Sequence, residues 1–172
     1  MELLLIIMSG LPFSGKSTIA QQLSKELDIP ILSYDHDVYA FHKSEVPSGT
    51  SPAKEFDMIE AIAREQIAKK LRNGQSLIYD DLCLELDDRH KLTELAKVCN
   101  AKSVLIYLDT PLLVIEQRRK SNNEKYNRNH ISDSKLRLDV TLLQPPHQNE
   151  NAVIVTPDTS IMEIVNAIQT HF

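Results

Sequence analysis

Leu3-Leu4-Leu5-Ile6-Ile7-Met8-Ser9-Gly10-Leu11-Pro12-Phe13-Ser14-Gly15-Lys16-Ser17 is the stretch that decides how this chain folds. Leu3 to Met8 is an unbroken apolar run of strand length, the pattern of a strand covered on both faces. Gly10 to Ser17 then fits the spacing G-x-x-x-x-G-K-[ST], and an amphipathic helix opens directly after it. The motif thus lies between a buried strand and a helix, the context its mechanism requires. Glycine lets successive backbone N–H groups turn toward one point, and the helix N-terminus adds positive potential there, which together make a phosphate cradle. Two of the four glycines of the chain stand in this loop.

The cradle implies ATP with Mg²⁺ as cofactors. Gly10, Leu11, Pro12, Phe13, Ser14, Gly15, Lys16, Ser17 and Thr18 are the expected nucleotide-binding residues. Lys16 would neutralise the β- and γ-phosphates, the Ser17 hydroxyl would be a Mg²⁺ ligand, and Thr18 would help hold the α-phosphate. No Asn-Lys-x-Asp run of the kind that reads guanine is present.

Outward from the loop, apolar runs alternate with helical patterns, which is how a parallel sheet with helices on both faces reads in sequence. Strands are predicted at Leu3 to Met8, Ile31 to Ser33, Ser76 to Tyr79, Ser103 to Leu108 and Ala152 to Val155. The first helix should start at Gly15 or Lys16 and end before Asp28-Ile29-Pro30, because the residue before proline resists helical ψ. Ser51-Pro52 opens a long helix that Asn73-Gly74 stops. Asp87 is read as the cap of a helix reaching Cys99, Thr110-Pro111 opens the next, and Ser160 with Glu163 forms a capping box for the last. Ser121 to Ser132 is polar, with four asparagines, and is read as a loop.

The 172 residues fit one domain, 1–172. Cys83 and Cys99 lack metal-type spacing, and the N-terminal apolar run is too short for a membrane span and has no signal-peptide flank. These features point to a reduced, cytoplasmic setting without a membrane. The net charge of −5 argues against a general nucleic-acid binder, yet Arg118 to Arg137 carries seven basic residues against two acidic ones.

Strand ends beside the phosphate loop face the ligand crevice in this fold class. Ser33-Tyr34-Asp35-His36-Asp37 places two carboxylates there, and one of them would accept the proton of an attacking hydroxyl: Asp35 first, then Asp37. Capping of a nearby helix is the competing role for Asp35. Leu77 to Asp81 is an apolar strand ending in acids; Asp80 is the Mg²⁺ candidate, and Asp81 could orient the substrate or cap a helix. Arg118, Arg119, Lys120, Lys125 and Arg128 fall at a helix end and in the polar loop, a pattern that fits a lid over about 118–132 with Arg118 against the transferring charge. Arg128 is a further substrate-side candidate.

With those motifs quoted, the chain resembles small P-loop kinases of the predicted-kinase ATP-binding group, related to polynucleotide kinases, zeta toxins and chloramphenicol phosphotransferase. Asp80 and Asp81 followed by Arg89, Leu108-Asp109-Thr110-Pro111 with Arg118 after them, and Gln144-Pro145-Pro146 with Glu150 complete the match. The resemblance implies a P-loop NTPase fold with a five-stranded parallel sheet in the order 2-3-1-4-5, Asp35 as base, Arg118 as lid arginine, and Pro145 and Pro146 near the adenine. Phe13 stands where the family usually has glycine, which makes the crown of the loop a place for substrate contact. Val38 and Tyr39 occupy the neighbourhood where polynucleotide kinases carry an arginine for the substrate phosphate. The expected activity is therefore transfer of the γ-phosphate to a hydroxyl of a small molecule. A kinase for nucleic-acid or nucleotide hydroxyls and a nucleotide-dependent switch with slow hydrolysis are the alternatives; oligomeric state is left open.

Overall fold

A computed structural model describes residues 2–125 and 131–170. In chain order the elements are β1 (Leu4–Ser9), α1 (Lys16–Leu27), β2 (Ile31–Ser33), α2 (Ala40–His42), α3 (Pro52–Arg72), β3 (Leu77–Asp80), α4 (Leu86–Val98), β4 (Lys102–Leu108), α5 (Leu112–Lys125), α6 (Asp133–Leu142), β5 (Ala152–Val155) and α7 (Ile161–Thr170). The strands form one parallel sheet in the order β2-β3-β1-β4-β5. Strand β1 lies at its centre, with Ile6 opposite Ile78 on one side and Val104 on the other.

Because side chains of a strand alternate between faces, the apolar run of β1 serves two cores at once. Leu5 and Ile7 join Leu77, Tyr79 and Leu105 under α3 and α4, while Ile6 and Met8 join Ile78, Val104 and Ile106 under α1 and α7. A third cluster, Leu11, Leu84, Ile115 and Leu136, ties the phosphate loop to α5 and α6. Among the described residues no helix is long and apolar enough to cross a membrane.

Helix ends follow local chemistry. Asp28, left-handed at φ 54°, closes α1 ahead of Pro30. The Ser51 hydroxyl accepts from Lys54 N–H at the start of α3, and Gly74 at φ 77° turns the chain after it. Ser160 and Glu163 bond reciprocally before α7.

Two sequence expectations need correction. Asp87 does not cap α4: Glu85 holds that position, and Asp87 sits in the first turn paired with Lys91 at 2.6 Å, where acids favour the helix dipole. Ser121 to Lys125 is not loop but the last stretch of α5, and a further helix, α6, begins after Ser132, whose hydroxyl accepts from Lys135 N–H. Arg128 lies outside the described residues.

Candidate active site

Ser9 ends β1 with its hydroxyl donating to the Cys83 carbonyl at 2.8 Å, and Gly10 N–H donates to the Leu82 carbonyl at 3.0 Å. The segment after β3 thereby fixes the entry to the phosphate loop. Gly10 has φ 143°, and a Cβ there would lie 3.1 Å from the Leu108 carbonyl oxygen and 3.2 Å from the Leu108 Cβ, so a side chain would be both strained and crowded. Phe13 is itself left-handed, at φ 62°, which explains why glycine suits this position. Phe13 packs on the cluster of Leu11, Ile115 and Leu136 and also lines the cavity beside the loop.

Lys16 is buried, and its Nζ donates to the carbonyls of Gly10 at 2.9 Å and Leu11 at 2.8 Å. Burial lowers its pKa to about 8, while Asp80, Asp81, Cys83 and Asp35 act in the opposite direction. Asp35, Asp80 and Asp81, at the ends of β2 and β3, thus lie within electrostatic reach of the loop ammonium.

Asp80 accepts a hydrogen bond from the Ser17 side chain; burial raises its pKa, and that bond and the Lys16 charge oppose the rise. A hydroxyl and a carboxylate so paired are hard oxygen donors, the set Mg²⁺ takes when it keeps water and phosphate ligands. Among the described residues no three His, Cys, Asp or Glu side chains group to hold a metal, so phosphate and water would complete the shell. Burial pushes Asp81 up to about 6, and its Oδ2 accepts from the Tyr79 hydroxyl at 3.5 Å.

After β2 the chain makes a π-helical turn, Tyr34–Tyr39, in which Ala40 N–H reaches back to the Asp35 carbonyl. Asp37 Oδ2 accepts from Ser33 N–H at 2.7 Å. Asp37 is thus spent on the turn, while the Asp35 carboxylate is exposed beside the crevice. The capping role weighed for Asp35 belongs to Ser33, whose hydroxyl accepts from His36 N–H, with Asp37 reaching back to the Ser33 N–H.

Arg118, on α5 and not in a loop, donates through Nη1 to the carbonyls of Phe13 at 3.0 Å and Ser14 at 2.8 Å. Arg119 turns the other way, to the Ile131 carbonyl at 3.1 Å and Asp133 at 2.5 Å, and so fastens α6 to α5. Next to the loop lies a cavity of about 430 Å³ bounded by Gly15, Thr18, Thr110, Arg118, Thr156 and Thr159, among others. Pro145 and Pro146 do not line it. Their segment is held at the β3–α4 connection by Gln144, whose N–H donates to the Leu84 carbonyl. The turn after β5, closed by Thr159 N–H to Thr156 carbonyl, stands at the cavity instead. Sequence reading missed Thr156 and Thr159 because a short polar turn carries no motif. It also missed Glu60 on α3, 15% exposed and paired with Arg64 at 3.1 Å.

Comparison with known proteins agrees with this geometry. Residues 5–146 match the family described as AAA domain. The L-seryl-tRNA(Sec) kinase of Methanococcus maripaludis is 32% identical over 127 residues, 71% of this chain and 47% of that protein. The chain spans about half the length of the curated relative it matches. The APS kinase of Mycobacterium tuberculosis, solved with AMPPNP and APS, aligns with a TM-score of 0.70 at 18% identity, covering 98% of each chain. A gluconokinase from Sinorhizobium meliloti aligns with a TM-score of 0.67 at 19% identity, covering 96% of this chain and 89% of its own. At those identities the two structures speak to the fold. The family match runs from β1 through the phosphate loop and both strand-end acid pairs to α6, and the chain belongs to the AAA domain family.

Proposed function

We propose that residues 1–172 act as one ATP- and Mg²⁺-dependent kinase domain that transfers the γ-phosphate of ATP to a hydroxyl of a small molecule. The observation that carries this reading is the register of β2 on β3, Ser33 opposite Asp80, which sets Asp35, Asp80 and Asp81 at one end of the sheet within electrostatic reach of the Lys16 ammonium. A cradle alone serves switches and ATPases equally; an exposed carboxylate at the neighbouring strand end adds an acceptor for the proton of an alcohol.

In this reading the loop N–H groups and Lys16 hold the β- and γ-phosphates, and Ser17 with Asp80 holds Mg²⁺. When bound, the metal neutralises charge on the phosphate oxygens. Adenine occupies the cavity between Arg118 and the Thr156–Thr159 turn. Asp35 takes the hydroxyl proton as the acceptor oxygen bonds to the γ-phosphorus and the bond to the bridging oxygen breaks, releasing ADP. Arg118, already at the crown of the loop, moves its guanidinium from carbonyl oxygens to the phosphate.

Incubation with γ-labelled ATP and a panel of alcohols, sugars and antibiotics tests the proposal. Label should pass to an acceptor faster than to water, and Lys16→Ala should abolish it. Release of phosphate to water alone would refute the transfer.

A hydroxyl carried on a nucleic acid is the second reading. The basic stretch Arg118 to Arg137 and the name of the archaeal relative favour it. Steep loss of activity with added salt would accompany it.

A further inference from the structure

Phe13 is a bulky residue in a backbone conformation that favours glycine. At φ 62° it occupies the left-handed region, where an aromatic residue is strained and glycine is not. Such strain persists only where the surroundings hold it in place. Two contacts hold Phe13. Its side chain packs against the cluster of Leu11, Leu84, Ile115 and Leu136, and its carbonyl accepts from Arg118 Nη1 at 3.0 Å.

Both contacts lead to α5. Ile115 and Arg118 stand three residues apart on that helix, so one face presents a buried anchor and a guanidinium together. Arg118 is exposed, and a side chain of its length loses much rotamer freedom when it is held. It is held nonetheless. Nη1 also reaches the Ser14 carbonyl at 2.8 Å and lies 3.6 Å from where a Cβ on Gly15 would stand. Phe13 and Arg118 both line the cavity beside the loop.

Resting on the kinase reading, we propose that Phe13 is a positioning residue for Arg118: its side chain locks the crown of the loop to α5 and so keeps the guanidinium at the edge of the cradle. Glycine at this position would relieve the backbone but give α5 no anchor on the crown. Charge developing on the transferring phosphate would then meet an arginine still to be gathered from solvent, whereas a preorganised one stabilises it at once. Phe13 itself takes part in no bond change.

Binding of ADP with and without aluminium fluoride, in the presence of Mg²⁺, tests this without an acceptor, because the fluoride complex stands in for the phosphoryl group during transfer. In the wild-type chain fluoride should tighten binding, and Arg118→Ala should remove roughly 10- to 100-fold of that gain, the scale of one charge-assisted contact. Phe13→Gly should remove roughly 10-fold of it, with affinity for ADP alone within about three-fold of wild type. Phe13→Leu keeps an apolar side chain on the cluster and should restore most of the gain. In the Arg118→Ala background Phe13→Gly should change the gain no further, as two residues acting through one contact require. Thermal melting of the same preparations shows that the variants fold. A full fluoride gain in folded Phe13→Gly, or a loss that adds to that of Arg118→Ala, overturns the inference, while transfer of label from ATP decides the kinase reading separately. A wild-type chain that binds ADP but gains nothing from fluoride overturns it as well; one that binds no nucleotide sinks both.

Discussion

Arg118 Nη1 lies 2.8 Å from the carbonyl oxygen of Ser14, so the middle of α5 is fastened to the crown of the phosphate loop. In the proposed reaction that cation would exchange its carbonyl partners for phosphate when ATP arrives. Arg118→Ala should therefore cost little stability, about 1 kcal/mol for exposed hydrogen bonds. It should nonetheless lower kcat/KM for ATP by roughly 100-fold. Thermal melting set beside kinetics separates the two; a large fall in melting temperature with unchanged kcat/KM would assign Arg118 to the scaffold.

Lys16 gives a pH signature. Its pKa without nucleotide is held down at about 8 by burial. Bound phosphates favour the charged form and raise that value, so nucleotide binding takes up a proton above pH about 8. Affinity for ADP should be flat below that pH and fall above it, toward ten-fold per pH unit until the bound-state pKa is reached. Calorimetry in buffers of different ionisation enthalpy would count the proton. Affinity unchanged between pH 7 and 9.5 would mean that Lys16 is not the group that meets phosphate. The stability of the free protein should move the opposite way, rising with pH above about 8, because the neutral lysine is the form that its burial favours.

Much of this was legible in sequence for a simple reason: residues that are buried or conformationally forced leave marks. The strand Leu4–Ser9 and the Gly10 turn could be read because both faces of the strand are apolar and a Cβ at Gly10 would be strained and crowded against Leu108. Helix α6 was missed because it buries only Leu136 and Asp139 of its ten residues, too few to show a helical period. Asp35 and Asp37 were both placed at the crevice, but the π-helical turn that gives Asp37 to Ser33 is a local backbone choice without a signature. Thr156 and Thr159 at the cavity could not be read because the turn after β5 acquires its position only from the sheet.

The two aspartates after β2 should separate cleanly. Asp35→Asn removes the proton acceptor and should lower kcat by roughly 100- to 10,000-fold while ATP affinity stays near wild type. Asp37→Asn weakens a backbone bond and should cost about 1 kcal/mol in chemical denaturation, with kcat within about ten-fold of wild type. If Asp37→Asn proved the dead variant and Asp35→Asn the active one, the roles would be exchanged.

Arg89 and Glu150 bound the last case, one in which sequence supplied the residues without their relationship. Arg89 is 1% exposed; its Nε and Nη2 donate to the two Glu150 oxygens at 2.7 and 2.9 Å, and Nη1 donates to the Leu84 carbonyl at 2.9 Å. The guanidinium thus joins α4 to the segment before β5 and braces the chain behind Gly10. Removing one partner leaves a buried charge, and Glu150→Gln or Arg89→Ala should each destabilise the fold by about 3–5 kcal/mol. Replacing both, as Arg89→Met with Glu150→Leu, should recover part of that loss, since burial without charge has no desolvation penalty. Urea denaturation of the two single variants and the double variant closes the cycle. Additive losses in the double variant would mean that the pair contributes no coupling. ADP affinity in the folded double variant should then report how far the loop entry at Leu82 depends on the brace, and a fall would extend its reach from the fold to the site.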